Sequence, residues 1–246
     1  MSKGVEKRRA AIRSDVQPLV RRGVPPLENG DRLSQKEFHR RYEAMPDVRA
    51  ELIGGIVFMS SPAFNIHSEP LTCGSAWLVH YEAATPGLRT WGEQSLILDT
   101  TNEVQPDVAL GILPEFGGHA ILKKGYLIRA PELVLEVANT SANIDLNSKF
   151  ETYRRNNVQE YVVHLARDKA VKWFVLRNGI YEPLLPDRDG IIRSIVFPGL
   201  WLHVKALVKR DLPTLFRTLD KGTATGEHAA FCKRLRDAVK KLKRQN

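Results

Sequence analysis

Apolar and polar positions along this chain fall into short runs, separated by proline, glycine and paired turn residues. Ser34-Gln35-Lys36-Glu37 is a capping box, which predicts a helix running to about Met45 and stopped by Pro46. Arg49 to Met59 predicts a hairpin turning at Gly54-Gly55. Asn65 to Ala84 predicts a long helix, with Leu71, Ala76, Leu78 and Val79 as its sheet-facing residues. Strands are expected near 95–98, 104–112 and 133–138. A helix over 143–155 follows, where Leu146, Phe150 and Tyr153 make an i, i+4, i+7 stripe. Further strands are expected at 160–165, 171–176 and 180–184, the last two joined at Asn178-Gly179, and another at 191–197. Residues 206–219 and 227–244 predict helices, and residues 1–30 predict irregular chain. This order gives an α/β or α+β fold, a mixed sheet flanked by helices.

Two of the strand-like runs carry one acid each. Asp107 lies in Val104-Gln105-Pro106-Asp107-Val108-Ala109-Leu110, and Glu136 in Pro131-Glu132-Leu133-Val134-Leu135-Glu136-Val137-Ala138. A carboxylate inside an apolar strand is costly unless something pairs with it, and a hard divalent cation is one such partner. Strand alternation puts Glu136 with Val134 and Ala138, opposite Leu133, Leu135 and Val137. It puts Asp107 with Gln105 and Ala109. If the two strands pair, the carboxylates sit side by side. Lys149 follows on the next helix.

Composition narrows the classes. No run approaches eighteen apolar residues, and no apolar stretch follows Lys3, Lys7, Arg8 and Arg9, so neither a membrane span nor a secretory signal is expected. Two distant cysteines, Cys73 and Cys232, make no disulfide framework, and a cytoplasmic location is the default. There is no Cys/His cluster for zinc, no Gly-rich phosphate loop and no G-x-S-x-G elbow. The net charge of +9 is uneven: residues 1–23 hold +5 and residues 221–246 hold +6, leaving about −2 between them. Basic ends of this kind either contact phosphates non-specifically or are simply solvated.

With these residues in view, the chain resembles the PD-(D/E)XK nuclease superfamily, and more closely the Uma-type restriction endonucleases of bacteria. The resemblance rests on an ordered set over residues 30–204: Ala50-Glu51-Leu52-Ile53-Gly54-Gly55, His67, Gln105-Pro106-Asp107-Val108, Pro131 to Val137, Asp145 with Lys149 and Tyr153, Glu160-Tyr161, and Phe197-Pro198-Gly199-Leu200. One departure is instructive. Ala138 stands where the superfamily places its lysine, and Lys149, at the position the Uma-type proteins use, can reach back along its long stem.

The resemblance implies a restriction-endonuclease-like core at 31–204, between a basic segment at 1–30 and a basic helical extension at 205–246. It implies a metal-dependent endonuclease acting on nucleic acid, with DNA as the expected substrate. In that chemistry Mg²⁺ or Mn²⁺ sits on Asp107 and Glu136, with the Val137 carbonyl completing the coordination and Glu51 as an outer ligand. Lys149 orients water or offsets developing charge, and His67 contacts the phosphate or a metal-bound water. Double-strand cutting needs two sites, which makes a homodimer the expected assembly. Each residue also has a plainer role: Asp107 as a turn cap, Glu136 and Lys149 as a buried ion pair, Lys149 with Asp145 as a helix-surface pair, His67 as a helix-start cap, and Glu51 with Arg49 as a strand pair. The competing function is a catalytically inactive nucleic-acid-binding or assembly protein on a nuclease-like scaffold. A phosphate-ester hydrolase of another kind ranks below both.

Overall fold

The computed structural model describes residues 23–59, 65–138 and 144–244, with Asn65, Ile66 and His67 described by backbone alone. Most of the expected basic segment at 1–30 therefore lies outside the described residues, as does the His67 side chain. Ser34 caps α1 (Gln35–Tyr42) by accepting from the Glu37 amide at 3.3 Å. The Glu37 carboxylate turns to Arg40 and Arg41 and does not close the box. The helix ends at Tyr42, short of the expected Met45, with Glu43 as its C-cap; Pro46 bars helical backbone at Met45 itself. The β1 (Ala50–Ile53) and β2 (Ile56–Met59) hairpin turns at Gly54-Gly55, whose φ values of 58° and 78° suit glycine at both central positions.

The chain continues through α2 (Asn65–Ala84), β3 (Leu88–Gly92), β4 (Leu96–Asp99), β5 (Asn102–Val104), β6 (Val108–Ile112), β7 (Ile121–Lys123), β8 (Tyr126–Ile128) and β9 (Leu133–Ala138). A wide π-helical turn (Ile144–Lys149) leads into α3 (Phe150–Arg155). Then come β10 (Glu160–Leu165), β11 (Ala170–Arg177), β12 (Ile180–Leu184), β13 (Ile191–Arg193), β14 (Trp201–His203), α4 (Val204–Lys209), α5 (Leu212–Thr223) and α6 (Gly226–Leu242).

The strands form two six-stranded sheets where the sequence suggests one. Their orders are β2-β1-β5-β4-β8-β7 and β12-β11-β10-β9-β6-β3, with β13–β14 a separate pair. Each large sheet is mixed: β4–β8 are parallel in the first and β9–β10 in the second. The expected single strand at 104–112 is instead a joint where the chain crosses from one to the other. Pro106 offers no amide to a ladder, so the chain leaves the first sheet after Val104 and enters the second at Val108.

The centre of the second sheet is buried on both faces, and β9 and β10 have every residue buried. Leu133, Leu135 and Val137 pack with Trp77, Leu78 and Tyr81 of α2 and with Leu215, Leu219, Phe231 and Leu235 of α5 and α6. Val134 and Ala138 pack on the other face with Leu96 and Val104 of the first sheet and with Tyr153 and Tyr161. The buried face of α2 is thus Cys73, Trp77, Leu78 and Tyr81, whereas Val79, expected to face the sheet, is 51% exposed. A third cluster, including Phe38, Met45, Leu52 and Val57, covers the outer side of the β1–β2 hairpin.

Two further expectations are corrected by side-chain chemistry. The strand expected over 191–197 stops at Arg193, because the buried Glu160 carboxylate captures the amides of Ile195 and Val196 and the Ser194 hydroxyl. The helix expected over 206–219 is two helices: Arg210 is left-handed at φ 57°, and Asp211 starts α5 by accepting from the Thr214 amide.

Glu160 also accepts from the Trp173 indole, so all its lone-pair directions face donors. Glu160→Gln turns an amide group toward some of those donors and leaves a buried one unsatisfied. The expected loss is about 1–3 kcal/mol, read from urea unfolding at neutral pH.

Candidate active site

The candidate site forms where the two sheets meet. Extending the β6–β9 register by one residue, from Val108 opposite Leu135, sets Asp107 opposite Glu136. The turn is tied to the strand in both directions: the Val137 amide donates to Asp107 Oδ2 at 2.6 Å, and the Asp107 amide donates to Glu136 Oε2 at 3.3 Å. Glu136 lies on the inter-sheet face with Val134 and Ala138, as strand alternation requires.

The π-helical turn brings the cation. Lys149 Nζ lies 3.0 Å from Glu136 Oε1, 3.0 Å from Glu51 Oε1 and 3.9 Å from Asp145 Oδ1. Wide turns of this kind are rare and recur at functional positions. One helical turn further on, the Tyr153 hydroxyl donates to the same Glu136 Oε1 at 2.7 Å. Glu51 comes from the first sheet and also accepts the Gln105 amide at 2.6 Å. The strand at the centre, the hairpin of the neighbouring sheet and the following helix therefore each contribute to one cluster.

The cluster holds more negative charge than positive. Burial pushes the Glu136 carboxyl well above its ordinary value; Lys149 opposes this, and Asp107, Asp145 and Glu51 add to it. Burial works against the Lys149 ammonium, but Glu136, Glu51, Asp145 and Asp107 outweigh it and hold the group protonated. Burial, with the charges of Glu136 and Glu51, keeps the Tyr153 phenol protonated, so it remains a donor.

Among the described residues, no three His, Cys, Asp or Glu side chains converge tightly enough to cage a metal ion. The donor chemistry nevertheless fits a hard cation, which takes oxygen ligands. Mg²⁺ in particular binds through one or two carboxylates and keeps its waters, so Asp107 and Glu136 suffice without a cage.

Of the residues proposed from sequence, Asp107, Glu136, Lys149 and Glu51 come together here, with the Val137 backbone adjoining them. His67 lies in the first turns of α2, its side chain outside the described residues. Tyr153 and Gln105 were given no role from sequence. The spacing of Lys149 and Tyr153 carried a signal, because residues four apart share a helix face.

This architecture, mixed sheets flanked by helices, is a nuclease-like fold. A solved structure described as "a putative nuclease belonging to DUF820", from Anabaena variabilis, shares the fold with a TM-score of 0.55. It is 13% identical, over 69% of this chain and 96% of that one. A model of the Uma2 family, described as "Putative restriction endonuclease", matches residues 36–205, and the chain belongs to that family. No curated protein matches the sequence.

Proposed function

We propose that this chain is a metal-dependent nuclease that hydrolyses phosphodiester bonds, with DNA cut internally as its substrate. The family and the nuclease-like fold support nuclease function. The observation that carries the finer reading is the placement of Asp107 opposite Glu136, with Lys149 and Tyr153 both reaching Glu136 Oε1.

Asp107 and Glu136 would hold Mg²⁺ or Mn²⁺, which when bound polarises phosphate and acidifies water. Tyr153 fixes one Glu136 oxygen by hydrogen bonding, leaving Oε2 toward Asp107. Lys149, itself buried, keeps its charge and would offset the negative charge that develops on the phosphoryl oxygens. Glu51 holds the Lys149 amine from the opposite sheet. Cutting both strands calls for two such sites and hence for a pair of chains.

The test is conversion of supercoiled plasmid to nicked and linear forms. Cleavage is expected with Mg²⁺ or Mn²⁺ and none with EDTA. Nucleic-acid binding without cleavage under every metal condition would favour an inactive scaffold, and activity indifferent to EDTA would remove the metal.

A further inference from the structure

We infer that Arg49 is a phosphate-binding residue at the rim of this site, gripping a non-bridging oxygen of the bound strand's backbone. This rests on the nuclease reading above and adds a substrate contact to it.

Arg49 stands immediately before β1, two residues from Glu51 and therefore on the side from which Glu51 reaches Lys149. Glu51 in turn accepts the Gln105 amide at 2.6 Å, which ties the start of β1 to the turn that carries Asp107. The guanidinium is half exposed, at 56%, and the negative charge of Asp107 reaches it. It is a cation at the mouth of a cluster in which four carboxylates surround one buried ammonium. A phosphate entering such a cluster is repelled until positive charge meets it at the mouth.

The arginine is aimed by a built support. Its Nη1 binds Glu93 Oε1. Glu93 holds a left-handed backbone at φ 47°, unusual for a residue with a side chain. Two bonds impose that conformation: the Glu93 amide donates to the Asp107 carbonyl at 3.0 Å, and the Glu93 carbonyl accepts from Gln105 Nε2 at 2.6 Å. The turn that carries Asp107 therefore also fixes the residue that holds Arg49. Among the described residues, Nε and Nη2 of Arg49 make no hydrogen bond, which leaves part of its fork for a phosphate.

The experiment compares Arg49→Gln, Arg49→Lys and Glu93→Gln in the full chain. Binding of a fluorescent duplex is followed by anisotropy in EDTA across a salt series, and plasmid cleavage is followed in Mg²⁺. Arg49→Gln should weaken binding about tenfold and flatten the log–log salt slope by about one. It should raise KM with little change in kcat. Arg49→Lys should restore the slope. Glu93→Gln should keep the slope and bind as tightly as the parent or more tightly, because a competitor for the guanidinium is gone. If the pair only fastens β1 to the β3–β4 loop, Arg49→Gln and Glu93→Gln will lower Tm together and leave salt slope and KM at parent values, which overturns the inference alone. A parent protein that neither binds the duplex nor cuts plasmid overturns the nuclease reading, and this inference with it.

Discussion

Asp107→Asn should lower plasmid cleavage by at least about 100-fold at saturating Mg²⁺ while leaving the protein folded. The substitution nearly preserves shape, and the asparagine Oδ1 can still accept the Val137 amide that Asp107 now receives at 2.6 Å. What disappears is a formal negative charge beside Glu136, and with it half of the proposed cation-binding pair. Loss of charge also reduces repulsion of the phosphate backbone, so duplex binding in EDTA should be equal to the parent's or tighter. The check combines a melting curve, an anisotropy titration and a cleavage time course on the same preparation. Parent-level cleavage by Asp107→Asn would rule out this pair of carboxylates as the catalytic centre.

Lys149→Met should be the most destabilising single change at the site. The ammonium is buried, and two carboxylates lie 3.0 Å from it. Removing one member of a buried charge cluster leaves the others uncompensated, at a cost of about 3–5 kcal/mol. For a chain of this size that lowers Tm by on the order of 10 °C. Methionine keeps the long apolar stem, but it leaves Glu136, Glu51 and Asp145 without the ammonium that lies among them. Divalent cation should return part of the lost stability, by about 2.7 kcal/mol at a hundredfold excess over Kd. Cleavage should stay absent even where folding is rescued. A variant that melts with the parent, with and without metal, would mean that the ammonium does not neutralise this cluster.

Much of the local geometry was legible because it depends on short periods. The two-residue repeat of Leu133–Ala138 separates Glu136 from the leucines, and the β9 ladder places it on the inter-sheet face. The Ser34 cap set the start of α1, and Gly54-Gly55 and Asn178-Gly179 set two hairpins. The reach of Lys149 back to Glu136 follows from helix direction and side-chain length. Pairing partners were less legible, because they are fixed by contacts far apart in sequence. Nothing local distinguishes Val104 from Val108 as members of different sheets except Pro106, which says where a ladder stops and not where the chain goes next. The left-handed Glu93 was equally hidden. It is held by Gln105 and Asp107 from the turn between β5 and β6, and its own neighbours, Gly92 and Gln94, announce nothing of the kind.

Pro106 has a consequence for the order in which this molecule becomes active. Glu51 belongs to one sheet, Glu136 to the other, and the short turn at Pro106 is one of the covalent crossings between them. Either sheet formed alone carries only a fragment of the constellation. The last contacts, from Lys149 and Tyr153, arrive on a segment made after both acids' strands. Such long-range pairings form late, since loop closure must be paid before they reward it. On the proposed reading, a nascent or partly folded chain would be chemically inert toward nucleic acid, and hydrolytic competence would belong to the finished tertiary structure.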